Sequence, residues 1–438
     1  LSSFKNLGKD IIAYGLMHGV SKSVNLILLP ILTRQFTTDE YGVIDIIVTL
    51  TSLLTLFITL SLESAVMRFW NESKKVNKQN ELFSGTLLFV FGIGILVLFI
   101  CFFFSESLSN LLLEDKGSWH FILLGVFAAF FMAANSIPLA TLRMRRKILS
   151  YNVVNLTQSL LYVGLALILI FKLDFNLTGV FLALVISHIV AFTVGLFQNK
   201  TYLTRHITWS YLKPSLKYSV PMFPAVFVTW LNNQADRFLL LYFIGLGAVG
   251  VFGASAKIAA IIALLVTIFR RAWSPIAIDT LEKDEHKRNE FYRKALNYYM
   301  IGMFLIGLII VFLSKPLLNL LVPEEYHYGY VIIPWIIGAQ ILHGAASMTN
   351  LGTVISKKTI GNSIAAWIGA IVNITLGFIL IPIYGIAGAA IGSFVAEFIF
   401  MAVLWFISVR LTSVRYNRMV IFTVLVVYIL LSIFYLKL

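Results

Sequence analysis

Between Trp230 and Trp273 the chain carries Asp236, Arg237 and Lys257 inside runs of apolar residues. A charged group at the centre of a membrane span costs about 2.5–3.5 kcal/mol on insertion scales, so it is kept only where it meets a partner or water. Lys22 poses the same problem earlier in the chain, and amide side chains accompany both places, Asn25 beside Lys22 and Asn233 beside Arg237. The cations are oxyanion ligands, Lys as a point charge and Arg as a planar fork. The amides donate and accept hydrogen bonds. Four acids also fall within apolar windows, namely Asp45, Glu63, Asp236 and Glu397. Burial disfavours the carboxylate and an approaching cation favours it, so such a group can exchange a proton for a cation.

The elements that hold these residues follow from composition. The chain of 438 residues is 59% hydrophobic and 12% charged, with a mean hydropathy of +0.89, the balance of a polytopic membrane protein rather than a soluble one. Windows of about 20 apolar residues predict thirteen spans, from 11–33 to 418–436. They include 43–67, 215–243, 248–270, 328–350, 360–382 and 386–408. Runs this long are helices, because barrel strands are short and alternating. The chain opens on Leu1 and stops as the thirteenth window ends, leaving room for a fourteenth span in a longer protein. Basic clusters such as Arg143-Met-Arg-Arg-Lys147 and Lys287-Arg288 fall in alternate connections, whereas the opposite connections hold only Arg34, Lys116, Lys172, Lys315 and Lys437. That bias predicts a cytoplasmic N-terminus. It also accounts for the net charge of +14 without nucleic acid.

The chain reads as one design used twice. Gly250 matches Gly42, Arg271-Ala-Trp273 matches Arg68-Phe-Trp70, and Gly388 matches Gly179, at offsets of roughly 205 residues, as in transporters with internal repeats. This divides the chain into an N-terminal lobe at 1–200, a C-terminal lobe at 201–410, and an added helix at 411–438. Polar residues recur at helical spacing: Asp45, Thr49, Ser52, Thr59 and Glu63 in one span, and Gln340, His343, Ser347 and Asn350 in another. Such stripes face other helices or a cavity. The glycine ladder Gly385, Gly388, Gly392 reads as close packing. The connections are too short for a catalytic domain, and the sequence holds no phosphate-binding glycine loop, metal-ligand spacing or nucleophile elbow. The reading is therefore of a protein that is not an enzyme, without cofactor or metal.

The segments Arg34-Gln-Phe-Thr-Thr-Asp-Glu-Tyr-Gly42, Arg68-Phe-Trp70, Asp236-Arg-Phe-Leu-Leu-Leu-Tyr-Phe-Ile-Gly245 and Val249-Gly-Val-Phe-Gly-Ala-Ser-Ala-Lys-Ile258, in their order and spacing, resemble the Wzx-like polysaccharide and O-antigen repeat-unit flippases. These are a branch of the multidrug/oligosaccharidyl-lipid/polysaccharide exporter superfamily. The resemblance implies two six-helix lobes and alternating access. It also implies an undecaprenyl-pyrophosphate-linked oligosaccharide carried from the inner to the outer leaflet of a bacterial plasma membrane. Membrane lipids and the polysaccharide polymerase machinery would be its neighbours, and a monomer the working unit. The helix at 418–436 departs from the twelve-helix members, and some relatives use extra helices as a lipid groove.

On that implication Lys22, Asn25, Asn233, Arg237 and Lys257 bind substrate, the cations meeting pyrophosphate and the amides meeting sugar hydroxyls. Arg34, Arg68 and Arg271, at the membrane faces, attract or release the head group. Asp45, Glu63, Asp236 and Glu397 are the candidates for coupling to H⁺ or Na⁺, with His188 standing at the repeat position of Glu397. A lipid II flippase is the nearest rival. A multidrug or metabolite antiporter would use the same lobes, but cationic drugs favour acidic cavities, whereas Lys22 and Lys257 are basic.

Overall fold

The computed structural model describes residues 27–76, 78–205, 209–280, 285–356, 360–411 and 416–437. Lys22 and Asn25 lie outside them. All regular structure among the described residues is helical. The first half of the chain contributes α1 (Thr38–Thr59), α2 (Leu62–Lys75), α3 (Gln79–Phe103), α4 (Ser105–Leu113), α5 (Trp119–Met144), α6 (Ile148–Phe171), α7 (Asn176–Gln198) and α8 (Trp209–Ser219). The second contributes α9 (Phe223–Phe243), α10 (Leu246–Asp279), α11 (Glu285–Leu321), α12 (Ile333–Thr349), α13 (Leu351–Ile355), α14 (Ile360–Tyr384), α15 (Ile386–Leu411) and α16 (Arg418–Lys437). Among the described residues 11 helical stretches are long and apolar enough to cross a membrane. The helix α9 has the length, with 21 residues, but its run of Asn232, Asn233, Gln234, Asp236 and Arg237 lowers its hydropathy.

The chain forms two compact units. Among the described residues, one is Val43–Phe227 together with residues 27–28, and the other joins Leu29–Gly42 to the residues from Val228 onward. In the first unit α5 and α6 pack on α7, and α2 and α3 pack on α5. Lipid tails are as apolar as the helices, so association rests on close contact rather than on hydrophobic transfer. Ala129, Ala133 and Ala134 of α5 accordingly let Phe83, Val66 and Trp70 lie against it, all of them buried. The expected stripe from Asp45 to Glu63 assumes one unbroken helix. The structure interrupts it at Leu60 and Ser61, both left-handed at φ 46° and 61°, so Glu63 begins a new helix and leaves the register of Asp45. The hydroxyls of Thr49 and Ser52 turn back to carbonyls of their own helix, Asp45 O at 2.7 Å and Thr49 O at 2.7 Å.

In the second unit α15 packs on α12 and α14, α10 on α12, and α16 on α11. Gly245, at φ +116°, ends α9 by the left-handed exit that glycine takes without strain. Its N–H reaches Leu240 O at 3.1 Å, and α10 starts at the next residue. The added helix α16 is integral to this unit. Tyr428 donates to Pro334 O at 2.7 Å, and Tyr435 Oη lies 2.9 Å from Ser314 Oγ.

The short segment Leu29–Gly42 precedes the rest of the first repeat in sequence but is built into the second unit. Tyr326, fully buried, donates its hydroxyl toward Phe36 O and Thr37 O, each at 3.0 Å. Arg34 Nη2 donates to Leu320 O at 3.1 Å. A side chain on Gly42 would strike the carbonyl of Leu246, and one on Gly250 the carbonyl of Thr38. The two glycines matched by the internal repeat are thus what lets the start of α1 and the start of α10 touch backbone to backbone.

Candidate functional site

The polar run of α9 becomes a site because residues three and four apart share a helix face. Asn232, Asn233, Asp236 and Arg237 line a cavity of about 170 Å³ within the second unit. The helix α15 adds Ser393 and Glu397, one turn apart, and α12 adds Ile336, Ala339 and Gln340. The opposite wall is α10, with Phe252, Ala256, Ala259, Ala260 and Ala263. Small side chains there leave the space open, while the other three helices supply its polar groups.

Asp236 is the most buried of the polar groups lining the cavity, 4% exposed. Ser393 Oγ donates to its Oδ2 at 2.5 Å and stands 3.4 Å from Asn373 Oδ1 on α14. Its other oxygen, Oδ1, is buried without a hydrogen-bond partner among the described residues. Burying a carboxylate oxygen in that condition is costly, and it marks the place where a donor or a cation would be welcome. Glu397 is half-buried and its Oε2 lies 3.1 Å from His343 Nδ1. The His343 ring stacks on Phe400 at 5.9 Å between centroids. The guanidinium of Arg237 lies 5.5 Å over the Phe252 ring and donates to Asn233 O at 3.1 Å. The amide nitrogens of Asn232 and Asn233 donate to Ala366 O at 3.3 Å and Thr229 O at 2.7 Å.

Of the candidates read from sequence, Asn233, Arg237, Asp236 and Glu397 come together in this cavity. Lys257 and Arg34 belong to the same unit but not to its lining. Lys257 Nζ donates to Tyr41 Oη at 2.5 Å and lies 4.9 Å from the centroid of that ring, at its hydroxyl edge, on the face of α10 that meets Leu29–Gly42. Asp45, Glu63 and Arg68 belong to the first unit. Arg68 is exposed and pairs with Glu72 at 2.5 Å. Glu63 keeps Oε2 buried without a hydrogen-bond partner among the described residues, and Asp45 is half-buried. Arg271 is half-buried on α10.

Sequence reasoning missed Ser393 as the donor to Asp236, with Asn373 next to it, and His343 as the partner of Glu397. A signal existed for Ser393, which is four residues before Glu397 and so on its face. It was hidden in a helix whose glycines read as packing.

A family model described as "Polysaccharide biosynthesis protein" matches residues 31–329, more than half of the chain and all of α9 and α10. The chain belongs to this polysaccharide biosynthesis family. This family member is 24% identical over 402 residues to the capsular polysaccharide biosynthesis protein CapF of Staphylococcus aureus, covering 87% of this chain and 93% of CapF. Its fold is similar to that of the lipid II flippase MurJ in an inward closed conformation. The TM-score is 0.75 at 17% identity, over 97% of this chain and 98% of that one. It is also similar to an inward-facing multidrug resistance MATE family transporter of the MOP superfamily, with a TM-score of 0.67 at 14% identity, over 92% and 98% of the two chains. The all-helical membrane fold expected from the sequence is the fold these transporters share.

Proposed function

We propose that this chain is a flippase that moves an undecaprenyl-pyrophosphate-linked oligosaccharide from the inner to the outer leaflet of the bacterial plasma membrane by alternating access, with its N-terminus in the cytoplasm. The observation that carries this reading is a cavity of amides, a guanidinium and carboxylates held among membrane helices in a member of a polysaccharide biosynthesis family. A glycan crossing hydrocarbon needs hydrogen-bond partners, and a pyrophosphate needs cations. The helices of the second unit supply the former, Arg237 among their donors, and Lys257 the latter once it parts from Tyr41.

The lipid tail has a place of its own in this reading. An apolar groove of about 480 Å³ runs between α15 and α16, lined by Met401, Trp405, Phe422 and Leu425, with Arg410 and Arg418 also in its lining. A chain in the groove would leave its phosphates beside two guanidiniums, which bind phosphate in a bidentate manner. For coupling to H⁺ or Na⁺, Asp236 is the strongest of the four acids, because its Oδ1 lacks a hydrogen-bond partner among the described residues where Ser393 and Asn373 already offer oxygens.

Reconstitution tests the proposal. Vesicles containing the full chain and a fluorescent polyprenyl-diphosphate oligosaccharide in the inner leaflet should expose the label to an external quencher at least tenfold faster than protein-free vesicles. Equal rates in the two preparations would refute it. A second reading, a cation-coupled exporter of drugs or metabolites, draws support from the two carboxylates of the cavity. Accelerated movement of a lipophilic cation with no movement of the glycolipid would establish that reading instead.

A further inference from the structure

The second-unit cavity has a size and a charge balance that select among glycans, and the inference drawn from them rests on the lipid-linked glycan transport proposed above. At about 170 Å³ it falls below the roughly 300–1,000 Å³ of pockets that enclose drug-sized ligands. Its enclosed part suits a single six-membered ring with its hydroxyls better than a polycyclic drug.

The rim offers Asn233, Gln340, Arg237 and Glu397, which between them accept and donate hydrogen bonds as vicinal hydroxyls require. The alanines of α10 give a smooth wall for the C–H face of a ring. The charged groups facing the space are Asp236 and Glu397 against Arg237, with His343 behind Glu397 at 3.1 Å. Arg237 is held over Phe252 and by Asn233 O, so its fork is not free to turn fully onto a ligand. A carboxylate brought into this space would stand beside two others, and such like-charge juxtaposition rejects it.

We infer that this cavity takes one neutral or amino-substituted sugar ring of the cargo and discriminates against a uronic acid. The occupant contributes hydroxyl or ammonium donors, which the carboxylates accept, and places no anion in the space. Glu397 is then the specificity-determining residue, because it supplies the more accessible of the two negative charges.

The test uses three polyprenyl-diphosphate lipids that differ only in the sugar: a hexose, a 2-amino-2-deoxyhexose and a hexuronic acid. Wild-type vesicles should flip the first two at least tenfold faster than the third. Glu397→Gln should narrow that ratio at least fivefold, and Gln340→Glu, which adds a carboxylate at the same rim, should widen it. The second variant keeps the test alive if the first does not fold. Equal transport of hexose and hexuronate by the wild type, or one ratio in all three proteins, would overturn the inference. So would variants that alter only the dependence on an imposed sodium or proton gradient, since the occupant would then be an ion. Failure of the flippase reading has a different signature. No lipid would move in wild-type vesicles, while saturation-transfer NMR on solubilised protein still showed methyl hexoside bound in preference to methyl hexuronate.

Discussion

The helix α10 presents two faces that differ in almost every physical respect. Gly250 and Lys257, seven residues and about two turns apart, face the segment Leu29–Gly42. There the backbones touch at the glycines and the ammonium is bonded to Tyr41, itself fully buried. On the other side Phe252, Ala256, Ala259, Ala260 and Ala263 border a cavity with a buried carboxylate oxygen that lacks a hydrogen-bond partner among the described residues. One face is filled and satisfied, and the other is open and polar. A single rigid helix can therefore anchor a neighbouring segment and hold a binding space at once, because side chains on opposite faces do not compete for the same volume. Substitutions on the anchored face should lower stability, whereas those on the open face should lower transport.

The largest effect expected is that of Gly250→Val. Its Cβ would meet the carbonyl of Thr38, and a backbone oxygen cannot swing aside as a side chain can. Overpacking of this kind costs upward of about 3 kcal/mol, so the variant should show the lowest melting temperature in detergent. A melting curve matching wild type would remove the anchored face from the comparison.

Ser393→Ala comes next and probes the cavity side from beneath. It strips Asp236 of its 2.5 Å donor, and a buried charged group losing such a bond is destabilised by about 2 kcal/mol. Stability and gradient-dependent transport should fall together. A stable variant with unchanged coupling would show that the hydroxyl does not hold the carboxylate.

Tyr41→Phe sharpens the anchored face by a smaller amount. The ring remains in place, and only the hydroxyl acceptor of Lys257 is lost. The expected cost is about 1.5 kcal/mol, the low end for a bond to a charged group, read as a modest fall in melting temperature. A loss as large as that of Gly250→Val would mean that the hydroxyl, and not the glycine contact, carries the anchorage.

The smallest stability change belongs to Asn233→Ala, since the side chain is exposed and, among the described residues, bonds its own helix. Melting should stay within about 0.5 kcal/mol of wild type, while the rate of glycolipid flipping falls several-fold. Full transport would assign the site to Gln340, Glu397 and Arg237 without it.

The sequence by itself determined the class of the protein, its helical spans and the residues at which charge enters the membrane. Each of these is a local sum, because hydropathy over about 20 residues decides whether a segment resides in lipid whatever its neighbours do. The same reasoning located Asp236, Arg237 and Glu397, whose cost is set by depth. The match of Gly42 to Gly250 was also legible, as a repeated small residue in a repeated motif. Only the tertiary structure decided which of these groups meet. Glu397 finds His343, 54 residues earlier. Lys257 finds Tyr41, 216 residues earlier, and Asp236 finds Ser393, 157 residues later. Those pairings depend on how each helix is rotated about its axis against its neighbours. Rotation is set by where small side chains let backbones approach, and that is a property of pairs of helices which no single span encodes.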